Sequence, residues 1–275
     1  MPETREMTAM AELKFLADLS QPLVYVPSKG GGDQTEHQGN FRTHSVKVRD
    51  ARRSLPTTDL DREGFVLLEQ PSVVGDFYDD EALRTTYHGE LIALIKALTG
   101  ARRVEVFDDT RRSASVATQR ERGIREPANI VHNDYTAASG PRRLNDFFTD
   151  APEEAEALRQ QRFAIINAWR PINGPVYDQP LVLCDAGSIA DGDLVAMERR
   201  AEERIGELQV ALYNPGQRWY YFPRMRPEEV LLFKTYDSAE DGRARFTPHS
   251  SFADPAAPRD APARESLESR CLVFF

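Results

Sequence analysis

The chain has 275 residues, 35 Lys and Arg against 44 Asp and Glu, a formal net charge of −9 and a pI near 5.2, a balance that argues against a basic nucleic-acid footprint or a polybasic membrane patch. That length suits one large domain or two small ones, and it is enough to bury most of the apolar surface on folding. Two cysteines, Cys184 and Cys271, sit far apart in apolar runs and read as buried thiols, not as a disulfide framework or a zinc ribbon. The N-terminal stretch has no apolar signal core, since Lys14 and Asp18 interrupt residues 13–19. No run approaches the roughly 20 apolar residues of a membrane span. A soluble, cytoplasmic protein is expected, with no nucleic-acid or membrane partner and with oligomeric state left open; the acidic balance says little about the substrate.

Residues 1–20 read as a polar lead with a short amphipathic turn. Residues 23–26 suit a strand, and Gly30-Gly31-Gly32 then forms a flexible loop. This is no phosphate loop, because no G-K-[ST] follows it. Residues 45–50 alternate like an edge strand, and residues 64–68 are another strand candidate. The clearest helix covers residues 79–98, where Leu83, Tyr87, Leu91, Leu94, Ile95 and Leu98 recur at three- and four-residue steps before Gly100.

A strand at 104–107 leads to a polar, basic stretch at 113–127 that reads as a loop over a pocket. A short strand at 130–132 and a helical segment at 141–157 follow. Strands are expected at 163–170 and 181–185, helix at 194–205, and further strands at 207–213, 219–223, 229–235, 244–247 and 266–275. The proline-bearing stretch 251–264 reads as a loop. His37, His44 and His88 read as structural or surface histidines. One helix followed by many short strands suggests a β-rich α+β fold with flanking helices.

Chemistry concentrates in Val131-His132-Asn133-Asp134-Tyr135-Thr136. In an extended chain, residues i and i+2 point to one face, so His132 and Asp134 can reach one ion together. A third ligand, His249, stands far downstream in Thr247-Pro248-His249-Ser250. Two imidazoles and one carboxylate leave open positions on a metal, which is the donor set of non-haem Fe(II) oxygenases. An oxygenase that uses 2-oxoglutarate also needs a cation for the cosubstrate's far carboxylate. Arg264, Ser266, Glu268 and Arg270 share one face of the last predicted strand, and Arg264-Glu265-Ser266 can offer a guanidinium and a hydroxyl together. Arg264 and Arg270 are both candidates.

Six stretches together carry a resemblance: the His132 motif, Asn167-Ala168-Trp169-Arg170-Pro171-Ile172, Leu183-Cys184-Asp185-Ala186, Leu231-Leu232-Phe233-Lys234-Thr235-Tyr236-Asp237-Ser238, the His249 motif, and Arg264 to Arg270. The chain from about Asp59 onward resembles the Fe(II)/2-oxoglutarate oxygenases that include the cephamycin 7-hydroxylase component and fungal gibberellin-desaturase-like enzymes (the CmcJ/AsaB-like group). The resemblance implies a double-stranded β-helix, that is, a jelly-roll or cupin-like core. It also implies one oxygenase domain over residues 1–275, with 1–58 as an N-terminal extension and 59–275 as the family-like core.

Fe(II), 2-oxoglutarate and O2 are the implied cofactor and cosubstrates, with His132, Asp134 and His249 as metal ligands and Arg264 or Arg270 as the cosubstrate arginine. Products would be succinate, CO2 and an alcohol or alkene at an unactivated C–H bond. One departure is Asp109 in Phe107-Asp108-Asp109-Thr110-Arg111, where the family pattern suggests histidine.

Around this centre, Tyr135 is a candidate for bonding cosubstrate or substrate. Asn167, Trp169 and Arg170 are candidates for the pocket wall. Lys234 and Tyr236, expected on one strand face, could also reach the pocket, and Arg111 and Arg125 could bind an acidic substrate. Competing readings are a cupin-like metal enzyme that does not use 2-oxoglutarate and a binding protein that has lost turnover.

Overall fold

Strands outweigh helices among the described residues, as the alternating patterns require. A computed structural model describes residues 8–202 and 205–275. With strands numbered in chain order, the larger sheet runs β1 (Thr8–Asp18), β4 (Asn40–Asp50), β12 (Trp219–Tyr221), β9 (Leu181–Cys184), β14 (His249–Ser251), β7 (His132–Asn133), β11 (Ile205–Ala211), β10 (Leu194–Arg200), β2 (Val24–Val26) and β3 (Glu36–Gln38). The smaller runs β5 (Phe65–Glu69), β13 (Glu229–Asp237), β8 (Phe163–Pro171), β15 (Glu265–Phe274) and β6 (Arg103–Ser113). Helices are α1 (Ala51–Ser54), α2 (Asp80–Ala82), α3 (His88–Thr99), α4 (Val116–Arg122), α5 (Ser139–Phe147) and α6 (Pro152–Arg159), with a π-helical turn at Leu83–Tyr87 joining α2 to α3.

Period-two burial sorts the smaller sheet into two faces. Ala164, Ile166 and Ala168 of β8 and Leu267, Cys271 and Val273 of β15 pack outward against Leu83, Tyr87, Leu91 and Ile95. The inward face meets the larger sheet, where Phe65, Trp169, Leu231 and Phe233 pack on Leu181, Leu183 and Tyr220. Two sheets face to face over one apolar layer, with a helix closing the outside of one, make the jelly-roll core that was expected. The helix starts at Asp79, whose side chain accepts from the Glu81 and Ala82 amides, and stops at left-handed Gly100 (φ 72°).

Several expectations change in physical terms. Residues 8–18 form a full strand, because Lys14 and Asp18 are solvent-side positions in an alternation that buries Ala11, Leu13 and Phe15. β4 is therefore no edge; β1 pairs along its length. Residues 194–200 are a strand paired with β11 instead of a helix. The stretch 113–127 contains α4, capped by the Ser115 side chain and Gly123, and 141–157 splits into two helices. Residues 244–247 are not a strand. Their donors serve elsewhere: the Ala244 amide bonds the Asp61 carbonyl and the Thr247 amide bonds the Asn133 side chain.

The glycine loop packs instead of waving. Gly30 has φ +90°, and a Cβ there would collide with the Gly123 carbonyl oxygen. Left-handed backbone costs a non-glycine residue about 1–2 kcal/mol before any clash. Gly30→Ala should therefore loosen the contact between residues 28–35 and the α4 end, read as faster amide exchange across both segments with the rest of the fold unchanged.

Candidate metal centre and its cavity

His132 and His249 are direct cross-strand partners on β7 and β14, so the sheet itself brings the distant histidine to the H-x-D motif. Their rings lie 4.4 Å apart. Each Nδ1 sits against a carbonyl two residues back, Ile130 at 2.9 Å and Thr247 at 3.0 Å. That bond makes Nδ1–H the donor and leaves each Nε2 lone pair for a metal. Asp134 Oδ1 stands 3.5 Å from His132 Nε2 and 3.9 Å from His249 Nε2. The three donor atoms lie within 4.8 Å of one another.

Asp134 is held from behind. Its Oδ2 accepts from Asn167 Nδ2 at 2.8 Å and from Arg270 Nε at 2.9 Å, which leaves Oδ1 facing the imidazoles. Burial alone would raise this carboxyl, but Arg270, a His132 hydrogen bond and His249 together hold it well below the usual carboxylate range. Burial, reinforced by His132, pushes the His249 imidazole down to about 3. At neutral pH His249 is therefore a neutral imidazole and Asp134 a carboxylate, both ready to bind a metal. This donor set fits Fe(II).

Asn167 is fixed in turn by the Thr235 hydroxyl, 3.2 Å from Asn167 Oδ1. Asn133, fully buried between the two motif ligands, donates to the Tyr135 and Thr235 carbonyls and accepts from the Thr247 amide. It thus clips the His132 strand to the segment that carries His249. Outer partners of this kind typically cost 10–100-fold in metal affinity when removed. Asn167→Ala should weaken Fe(II) binding by that order, measured by competition with a chelator, while the fold persists.

Arg270 is committed. It bonds Asp108, Glu268, Thr110 and Asp134, and although burial pulls the other way, Glu268, Asp134 and Asp108 raise its pKa. Arg264 is buried too, but among the described residues no carboxylate pairs with it. One N–H reaches the Gln179 carbonyl at 2.6 Å, the guanidinium lies over the Trp169 ring, and Nε has no partner. Burial, then Arg112, pulls its pKa down to about 9. Ser266 is buried on the same strand face.

Tyr135 is buried beside this centre, and burial raises its phenol. A cavity of about 540 Å³ opens onto His132, Asp134, Tyr135 and Arg270, and Arg125 lines it.

Four candidates point elsewhere. Arg170 lies on the helix-side face, bonding the Gln70 carbonyl and stacking on Phe77 and Tyr87. Although Arg111 borders the cavity, its guanidinium turns to the Phe77 carbonyl and Asp80. Lys234 and Tyr236 do not share a face, because the ladder slips between them. Lys234 is buried on the outer side between Asp61 and Asp237, and Tyr236 packs inward on Phe163 and Gly140. Trp169 is both core wall and the shelf under Arg264. Asp109, the departure from the family pattern, bonds His88 at 2.7 Å and Ser269; the histidine of that pair comes from the helix.

A family model described as "Oxidoreductase/YMDC permease-like domain" matches residues 13–274. The Fe(II)/2-oxoglutarate-dependent dioxygenase nvfI of Aspergillus novofumigatus is 36% identical over 250 residues, covering 88% of this chain and 87% of that protein. The chain belongs to the Fe(II)/2-oxoglutarate-dependent oxygenases. The hydroxylase/desaturase efuI of Hormonema carpetanum is 35% identical over 263 residues, covering 86% of this chain and 85% of its own. A solved structure of the iron and alpha-ketoglutarate-dependent endoperoxidase NvfI superposes with a TM-score of 0.84 at 31% identity, over 98% of this chain and 99% of that one. Among the described residues no helix is long and apolar enough to cross a membrane, so the "permease-like" part of the family description has no counterpart in a membrane-spanning helix here. As a member of this family the oxygenase uses Fe(II), 2-oxoglutarate and O2.

Sequence reasoning missed Asn133, Thr235, Glu268 and Asp108. Asn133 left a signal: an amide between two ligands of an alternating strand must point away from the metal, into the protein, where it needs partners.

Proposed function

We propose that this oxygenase hydroxylates an unactivated C–H bond of a small molecule of specialised metabolism, with His132, Asp134 and His249 as the iron ligands and Arg264 as the anchor for the far carboxylate of 2-oxoglutarate. The observation that carries the cosubstrate assignment is a buried guanidinium with no carboxylate partner, on the inward face of the strand whose other arginine touches Asp134. A buried cation without an anion is costly, and a bound dicarboxylate removes that cost. Arg270 has three carboxylates already, which supports a positioning role for it behind Asp134.

Bound iron with 2-oxoglutarate and O2 supplies the oxidant for C–H cleavage, releasing succinate and CO2. The protein's share is geometric. Asn167 and Arg270 occupy Asp134 Oδ2, so Oδ1 would be the oxygen offered to iron, and the backbone carbonyls of Ile130 and Thr247 fix both imidazoles. Tyr135 lines the same cavity as His132 and Asp134, so that wall would hold a substrate beside the iron.

Hydroxylation is favoured over desaturation because rebound is the default fate of a carbon radical held against its oxidant. Turnover under isotopically labelled O2 tests this. A product that gains one labelled oxygen atom supports hydroxylation; a product that only loses two hydrogens contradicts it and leaves the metal and cosubstrate assignments standing.

A further inference from the structure

The cavity inverts the sign of the protein. A chain of net charge −9 lines this one space with nine Lys and Arg residues against five Asp and Glu. Part of that charge is already answered, since Arg270 is ringed by carboxylates and Arg111 turns outward to Asp80. Lys29 pairs with Glu202 and Arg122 with Glu121, and Arg142 is exposed; among the half-buried cations that remain are Arg112, Arg125 and Arg143. Arg125 makes no side-chain hydrogen bond or ion pair among the described residues. Its neighbour Glu126 cannot serve it, because that carboxylate is taken by the Ser28 hydroxyl and by the Thr35 amide and hydroxyl. Arg112 has only a carbonyl, that of Glu126, at 2.8 Å. Arg143 lies over the Phe107 ring at 4.4 Å, and its buried Nε has no partner.

We propose that this cavity selects a carboxylic acid with a compact apolar body, its carboxylate held by Arg125 and Arg112 and its body against Phe107, Tyr135 and Leu208. The inference rests on the iron and 2-oxoglutarate reading above and names the substrate class for that site. Arg264 is not among the cavity's lining residues, so the substrate's anion and the cosubstrate's far carboxylate have separate cations. Burial, then Arg112, lowers the Arg125 pKa, the direction expected of a cation still short of an anion. A cavity of about 540 Å³ is of the size that encloses a small-molecule ligand. Carboxylate in a guanidinium pair at one wall fixes which C–H bond reaches the metal.

The test is calorimetry on the anaerobic Fe(II)·2-oxoglutarate enzyme with two probes of one shape, 1-adamantanecarboxylate and 1-adamantanemethanol. The carboxylate should bind at least about tenfold more tightly than the alcohol, as expected when one charge-assisted pair distinguishes them. Arg125→Gln should abolish that preference and Arg125→Lys should restore part of it, with 2-oxoglutarate affinity unchanged in both. Equal affinity for the two probes, failure of the carboxylate to bind, or a preference that survives Arg125→Gln overturns the proposal. Loss of 2-oxoglutarate affinity in Arg125→Gln assigns the residue to the cosubstrate site and overturns it as well. Failure of the unaltered enzyme to bind 2-oxoglutarate at all would instead show that the underlying reading is wrong.

Discussion

Alanine at His132, Asp134 or His249 is expected to lower Fe(II) affinity by more than about 100-fold and to abolish 2-oxoglutarate turnover. Loss of an outer hydrogen-bond partner already costs 10–100-fold, and each of these residues supplies one of the three donors clustered here among the described residues. The His249 variant is the sharpest of the three. That residue lies on a different strand from the H-x-D motif and is brought to it by the β14–β7 pairing. Metal titration by competition with a chelator reads the effect directly. His44→Ala is the matched control, since His44 stacks on Tyr213 away from the triad and should keep full metal affinity. Retained Fe(II) binding in His249→Ala would break the assignment.

Arg264→Ala should raise the dissociation constant for 2-oxoglutarate by about 30-fold to several thousandfold, since truncating one partner of a buried charge pair costs about 2–5 kcal/mol. Fe(II) affinity should barely move, because Arg264 touches no metal ligand. Arg270→Ala should behave differently. It removes one of the two donors to Asp134 Oδ2 and strips Asp108 and Glu268 of their cation, so it should lower Fe(II) affinity and thermal stability together. Calorimetry with 2-oxoglutarate and a melting curve on each variant separate the two roles. The same loss of 2-oxoglutarate binding in both, with no change in stability, would mean that Arg270 shares the anchor.

The sequence made the metal centre legible because its signal is local and periodic. His132 and Asp134 two apart must share a strand face, and the alternation of Arg264, Ser266, Glu268 and Arg270 against Leu267, Cys271 and Val273 showed which side of β15 turns inward. The helix at residues 80–99 was readable for the same reason, from three- and four-residue apolar steps that stop at Gly100.

What could not be read depends on contacts made by other elements. Lys234 and Tyr236 part company at a register slip that no residue type announces. Arg264 and Arg270 look alike in the chain; only the carboxylates brought in by β6 and by the Asp134 turn distinguish the satisfied arginine from the open one. Charged residues misled twice, at 8–18 and 194–200. At 8–18 the charges are the solvent-side half of a strand and resemble a broken apolar run; at 194–200 the consecutive Glu198, Arg199 and Arg200 occupy both faces of a strand and resemble a polar helix.

The central claim is that this oxygenase couples iron held by His132, Asp134 and His249 to 2-oxoglutarate held by Arg264. The most direct measurement is succinate released per 2-oxoglutarate consumed, with Fe(II), O2 or both withheld in turn. The account predicts one succinate per 2-oxoglutarate only when both are present, none in His249→Ala, and recovery in Arg264→Ala only at much higher 2-oxoglutarate. Succinate release that persists in His249→Ala, or an enzyme that binds Fe(II) and never consumes 2-oxoglutarate, would contradict it.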